Sequence, residues 1–252
     1  MAVREDAMDQ TSAPLPEAVA KNLQEFVDIA QKTIASDLRS IVLFGSAAEG
    51  RLRATSDVNV LVVLGAWNPA RMDALRDPLR NAQAAIGLSA MFVMESELPA
   101  AMDAFAVKFS DILRRQRVLC GKDPFTGLKV SRQAEITRLR QVLLNLLLRM
   151  RERYLLTSLR EEQAAHVVAQ VAGPLRTSAA TLLELAGKTA DSPKAALEAI
   201  VRELPGDGWG DVLATLSQAR EGASLAKGVA PNTLLRLVEL AAAMHDRAAK
   251  IA

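Results

Sequence analysis

The chain has 252 residues, with 31 Lys or Arg against 29 Asp or Glu for a net charge of +2, and half of its residues are hydrophobic. That length suffices for two domains with a sizeable core, and so even a charge balance marks out no polyanionic partner. Cys120 is the one cysteine, which excludes an intramolecular disulfide; its setting in Val118-Leu119-Cys120 predicts a buried, inert thiol. No apolar run is long enough to cross a bilayer, and the stretch MAVREDAMDQ carries acids where an export signal would be basic and then apolar. The expectation is a cytoplasmic protein with no membrane partner.

Residues 1–14 are polar and predict a flexible N-terminus. From Leu15 to Asp37 the apolar positions Val19, Leu23, Phe26, Val27, Ile29, Ala30 and Ile34 keep a helical rhythm, and Pro16 suits a first turn. Ile41, Val42, Leu43 and Phe44 then form a short run of β-formers stopped at Gly45-Ser46, the pattern of a buried strand delivering a tight turn. Gly45 permits close backbone approach to a ligand, and Ala47-Ala48-Glu49 predicts a short helix whose free N–H groups favour an anion. After a polar spacer, Val58, Val60 and Val62 alternate with Asp57, Asn59 and Leu61. Side chains two apart on a strand share a face, so Asp57 and Asn59 point together toward the Gly-Ser turn.

Residues 42–64, VLFGSAAEGRLRATSDVNVLVVL, resemble the signature of the DNA polymerase beta-type nucleotidyltransferases, especially the small bacterial group that includes the minimal and kanamycin nucleotidyltransferases. The resemblance implies an α+β fold, a small mixed-sheet nucleotidyltransferase domain followed by an α-helical bundle. In that family a Gly-Ser turn cradles the triphosphate, and an Asp-x-Asp pair with a third acid on a later strand holds two magnesium ions. Carried over by position, Gly45 and Ser46 match the turn and Asp57 matches the first acid, a catalytic metal ligand. Asn59 stands where the second acid belongs. The next strand candidate, Leu88 to Met94, contains no carboxylate, and Glu95 and Glu97 come only at its end. Magnesium is hard and sheds water reluctantly, so a neutral amide oxygen is a poorer ligand, and in-line transfer loses much of its charge neutralisation. The expectation is therefore a protein that binds a nucleoside triphosphate, holds Mg2+ weakly if at all, and has weak or lost nucleotidyl transfer. Glu49 supplies a second ligand only if its loop folds back.

Further along, residues 68–86 predict a helix with Met72, Leu75 and Leu79 inward and with Pro78 bending or breaking it, followed by the strand at 88–94. A helix-like stretch from Leu98 to Phe105 leads to Phe109, Ile112 and Leu113, and then to the turn Gly121-Lys122-Asp123-Pro124-Phe125. Gly, Asp and Pro cluster there and the pattern afterwards is helical, which predicts an α/β domain over 15–125 and a helical domain over 126–252. Helices are predicted at 131–159, 161–187, 192–203, 208–220 and 231–250; in the first, Ile136, Leu139, Leu143, Leu146 and Met150 form one buried stripe.

Residues 107–160 hold 13 Lys or Arg against four acids, and Arg138, Arg149, Arg153 and Arg160 fall on one narrow helical stripe. Such a stripe reads either as a surface for a triphosphate or an RNA backbone or as a solvated helix flank. Aromatics make up only 4%, too few for a stacking platform, so specific nucleic-acid binding is not expected. Two other functions compete with nucleotide binding. One is a non-catalytic scaffold that holds a protein partner through its helical bundle. The other is a ribonuclease, because Arg160 and His166 in LREEQAAH resemble the Arg-x(4 to 6)-His motif of helical ribonucleases; Glu161 and Glu162 beside them would repel a phosphate backbone.

Overall fold

Pro16, with no N–H to satisfy, precedes α1 (Glu17–Ile34), whose buried face is Leu23, Phe26, Val27, Ala30 and Ile34 at the predicted helical spacing. The computed structural model describes residues 14–53, 56–222 and 225–251, so the expectation for the first 13 residues lies outside the described ones. After α1 come β1 (Leu38–Phe44), β2 (Val58–Leu64), α2 (Pro69–Ile86) and β3 (Leu88–Met94). Then follow α3 (Leu98–Ala104), α4 (Ala106–Arg114), β4 (Gln116–Gly121) and five further helices. These are α5 (Arg132–Thr157), α6 (Glu161–Leu185), α7 (Pro193–Arg202), α8 (Trp209–Arg220) and α9 (Val229–Ala249).

The four strands form one mixed sheet in the order β3-β2-β1-β4. β1 is antiparallel to both β2 and β4, whereas β2 and β3 are parallel and joined through α2, the crossover that a parallel pair requires. Asn68 caps α2 by accepting the Arg71 N–H at 3.3 Å, and Gly87 closes it in a left-handed conformation. Pro78 lies inside α2 without ending it. One face of the sheet, with Ile41, Leu43, Val58, Val60, Val62, Leu64 and Leu88, shares a core with the buried stripes of α1 and α2.

β4 is absent from the sequence-based expectation, which carries the chain from Leu113 straight to the turn at 121. It is an edge strand with Val118 at 36% exposure, so it lacks the burial-driven alternation that marks β1 and β2. Its pairing with β1 also places Cys120 opposite Ile41, where the thiol is half-buried and accepts a hydrogen bond from Gln31 Nε2 at 2.8 Å. The fully buried setting expected for Cys120 is not what the strand edge provides.

The chain divides into two compact units. The first runs to Glu97 and resumes over Arg114–Thr126; the second takes Leu98–Leu113 and everything from Gly127 onward. This differs from a single cut after residue 125, because α3 and most of α4 group with the later helices. Val107 joins the core of those helices, and Arg138 of α5 lies over the Phe105 ring at 6.0 Å.

Within the second unit α6 buries residues on most of its circumference, from Val167 and Val168 to Leu182 and Leu183, as a central helix must. Ser131 caps α5 by accepting the Ala134 N–H, and Ser192 caps α7 by accepting the Ala195 N–H, both at 3.1 Å. The last turn of α9 is held by a side chain from another helix. Arg140 donates to the carbonyls of Ala248, Ala249 and Ile251 at 3.0, 3.0 and 2.8 Å. A guanidinium at a helix C-terminus both satisfies orphan carbonyls and meets the negative end of the dipole. Among the described residues no helix is long and apolar enough to cross a membrane. Replacing Arg140 with Ala is expected to lower the unfolding free energy by about 2 kcal/mol, as loss of charged hydrogen bonds does; urea denaturation of the two proteins measures the difference.

Candidate functional site

Gly45 ends β1 in a left-handed backbone, φ 75°, that side-chain-bearing residues adopt at a cost. Its N–H donates to the Arg115 carbonyl at 2.9 Å, which fixes the turn to the entry of β4. Gly45 is buried, yet among the described residues a Cβ added to it would meet no atom within 4 Å, so there is unfilled space beside this backbone. The residues that follow do not form an α-helix. Gly45–Ala47 make a single 3-10 turn, and the chain folds back as Arg51 N–H donates to the Ser46 carbonyl at 2.8 Å. The anion site expected from a helix N-terminus at Ala47-Ala48-Glu49 is therefore replaced by a tight loop.

Antiparallel pairing puts the start of β2 beside the end of β1. Asp57 is the residue before β2 and is exposed; Asn59, half-buried, lies opposite Phe44, the residue before the turn. Asn59 Nδ2 donates to the Asp57 main-chain carbonyl at 3.2 Å, which leaves its Oδ1 as the atom available to a ligand. Gly87, at the start of β3, accepts the Val58 N–H at 3.2 Å, and a Cβ there would stand 3.6 Å from Asp57 Oδ1. That is an ordinary contact, and what favours glycine at 87 is its left-handed backbone, φ 63°.

The register extends this end of the sheet into a row. Ser89 pairs with Asn59, Asn59 with Phe44, and Phe44 with Gln116, so one face carries Ser89, Asn59, Phe44 and Gln116 across four strands. Adjacent members stand about 5 Å apart, the spacing of neighbouring strands. Gln116 Oε1 is buried and has no hydrogen-bond partner among the described residues, an acceptor in the same row as Ser89 and Asn59. Ser89 and Gln116 carry no sequence motif, and only the strand pairing brings them to the site.

The acids on this end do not fit a protein-held pair of magnesium ions. Asp57 is a lone carboxylate, Asn59 is neutral, and among the described residues no group of three or more His, Cys, Asp or Glu is placed to hold a metal. Glu49, the candidate replacement, is committed elsewhere: its Oε2 accepts from Arg115 Nη1 at 3.2 Å, with both side chains mostly buried. Arg115 therefore holds the loop twice, through its carbonyl on Gly45 and its guanidinium on Glu49.

The remaining sequence candidates are dispersed. Arg160 is the N-cap of α6 and exposed, while His166 stands on that helix with Nε2 2.8 Å from Gln170 Nε2. Glu161 Oε1 accepts the Gly228 N–H at 2.7 Å and so serves the start of α9. Among the described residues no hydrogen bond joins Arg160 to His166.

A mixed four-stranded sheet with a Gly-Ser turn and an acid at one end, accompanied by a helical region, is a fold that this chain shares with a solved adenyltransferase structure. A solved structure similar to this chain is spectinomycin adenyltransferase AAD(9) from Enterococcus faecialis with ATP and spectinomycin. The two share 13% sequence identity and a TM-score of 0.62, over 88% of this chain and 99% of that one. At that identity the likeness establishes the fold. No protein-family model matches the sequence, and no curated protein matches it.

Gly45→Ala forces a Cβ into the left-handed region without any clash, so it is expected to cost about 1 kcal/mol of stability. Urea unfolding of the variant checks this, and a cost near zero would mean that the turn relaxes to another conformation.

Proposed function

We propose that the chain binds a nucleoside triphosphate at the β1–β2 end of its sheet and that nucleotidyl transfer there is weak or lost. The observation that carries this reading is the pairing of Asn59 with Phe44, which sets the Gly45 turn, with unfilled space beside its backbone, next to one carboxylate and a row that holds Ser89, Asn59 and Gln116. Gly45 and Ser46 would lie against the phosphates, with the Ser46 hydroxyl donating to a phosphate oxygen. Asp57 would be the single anionic contact to any cation that the nucleotide brings with it. Asn59 offers an amide dipole where a two-ion site has a charge, so the developing charge of in-line transfer would be poorly stabilised. The likeness to a structure described with ATP supports a nucleotide as the ligand. We place the protein in the cytoplasm, where nucleoside triphosphates are abundant; the base and any acceptor are to be found by titration.

The reading is tested by thermal unfolding in ATP, GTP, CTP and UTP, each with and without Mg2+. A ligand that binds only the folded state stabilises it by about 2.7 kcal/mol at a hundred times its Kd, so Tm should climb with concentration for at least one nucleotide. Asn59→Asp is expected to increase the effect of Mg2+ on affinity by about tenfold or more, roughly 1.4 kcal/mol. A Tm that ignores all four nucleotides contradicts binding, and an Asn59→Asp protein that responds to Mg2+ like the parent contradicts the assignment of position 59.

A further inference from the structure

β3 is an outer strand of the sheet, and its pairing with β2 determines what its free edge presents. Val58 N–H donates to the Gly87 carbonyl at 3.2 Å, and Val58 pairs with Leu88 in a register that runs unbroken to Leu64 and Met94. Main-chain groups alternate in direction along a strand. Ser89, Met91 and Val93 therefore turn their N–H and C=O groups toward β2, while Ala90, Phe92 and Met94 turn theirs outward. The outward Met94 N–H donates to Glu97 Oε2 at 2.9 Å. Among the described residues no hydrogen bond meets the outward groups of Ala90 and Phe92.

A sheet edge that stays unpaired in water is protected by charge, proline or a bulge. β4, the opposite edge, has such protection: it contains Arg117, and its register with β1 breaks between Ile41 and Val42. β3 reads LSAMFVM, with no charge, no proline and no break. Met91, Phe92 and Met94 are only half-buried. Phe92 also lines a groove of about 390 Å3 with Met72 and Leu79 of α2 and with Trp67, which is 58% exposed. An apolar edge with open main-chain groups is a template for another strand.

We propose that β3 pairs antiparallel with β3 of a second copy, about a two-fold axis at Met91, so that two sheets become one. Ala90 N–H then donates to the Phe92 carbonyl of the other copy, whose Phe92 N–H donates back to the Ala90 carbonyl, and the two-fold axis repeats the exchange. The open groups of Ala90 and Phe92 are all used. On the α2 side the pairing sets Ala90, the smallest side chain of the strand, opposite Phe92, the largest. An uncharged edge offers a foreign strand little to be selected by, whereas it meets its own copy without like-charge cost. Ser89, the β3 member of the polar row, comes opposite Val93 of the other copy, so the second copy closes the row at that end. The pairing rests on the strand and does not depend on nucleotide binding at the Gly45 turn.

Sedimentation of the full chain over a range of concentrations should show a dimer whose share rises with concentration. Ala90→Pro removes an N–H that β2 does not use, and it should weaken the dimer by about tenfold or more while the far-UV circular dichroism stays that of the parent. Met91→Cys places two thiols across the axis at a Cα spacing of about 4.5 Å, which a disulfide spans, so oxidation should give a covalent dimer. Ser89→Cys, exposed on the same strand but off the axis, should give no more than the parent, whose Cys120 sets the background. The cross-linking pair decides the matter even where Ala90→Pro fails to fold. The proposal is overturned by a chain that stays monomeric at every concentration, including one that instead takes up an added apolar strand peptide. It is overturned equally by a dimer that a folded Ala90→Pro leaves unchanged, or by equal cross-linking through Ser89→Cys and Met91→Cys.

Discussion

The antiparallel register of β1 on β2 is the constraint on which the candidate site depends. Because Phe44 lies opposite Asn59, the turn that follows Phe44 and the acid that precedes β2 arrive at the same end of the sheet. A slip of one residue would send Asn59 into the core face with Val58 and Val60, which share the buried cluster under α1 and α2. That core therefore enforces the geometry of the site. Val58, Val60 and Val62 hold this face, so Asn59 takes the opposite one, where Leu61 and Val63 further along β2 are buried as well. The parallel step to β3 and the antiparallel step to β4 then add Ser89 and Gln116 to the same row with no further specification.

Loop chemistry adds a second constraint. The segment after Gly45 turns back on itself, and Arg115 secures it by accepting from Gly45 and pairing with Glu49. An acid that could have served a metal instead maintains the shape of the turn. Much of the basic excess in residues 107–160 is likewise structural. Arg140 closes α9, Arg132 donates to the Leu185 carbonyl at 3.1 Å, and Arg138 lies over Phe105 and donates to Gln141. Arg149, Arg151 and Arg153 remain exposed, and these share α5 with its exposed leucines.

The sequence was most legible where burial imposes a period. β1, β2 and β3, the long helix from Ser131 and the stops at Gly187, Pro205-Gly206 and Gly228 follow from alternation, heptad-like spacing and turn residues. Asp57, Asn59, Gly45 and Ser46 were legible as a set because spacing and residue type coincide in one short segment. β4 was not, because an edge strand reading Gln116 to Gly121 has no fully buried face to give it a pattern. The grouping of Leu98–Leu113 with the later helices was also hidden, since contiguity in sequence says nothing about which core a short amphipathic helix joins. Ser89 and Gln116 are ordinary surface residue types, and their place at the site is a product of strand pairing alone.

The central claim is that a nucleotide lies on the Gly45 turn and the row beside it without a protein-held pair of metal ions. Titrating ATP, GTP, CTP and UTP in turn into isotopically labelled protein in the presence of a chelator, and following backbone amide resonances, tests it most directly. The account predicts that with at least one of them the largest shifts fall on Gly45, Ser46, Asp57, Asn59 and Ser89 and saturate with concentration. Shifts that fall on the helical unit, or none at all until Mg2+ is supplied, would contradict it.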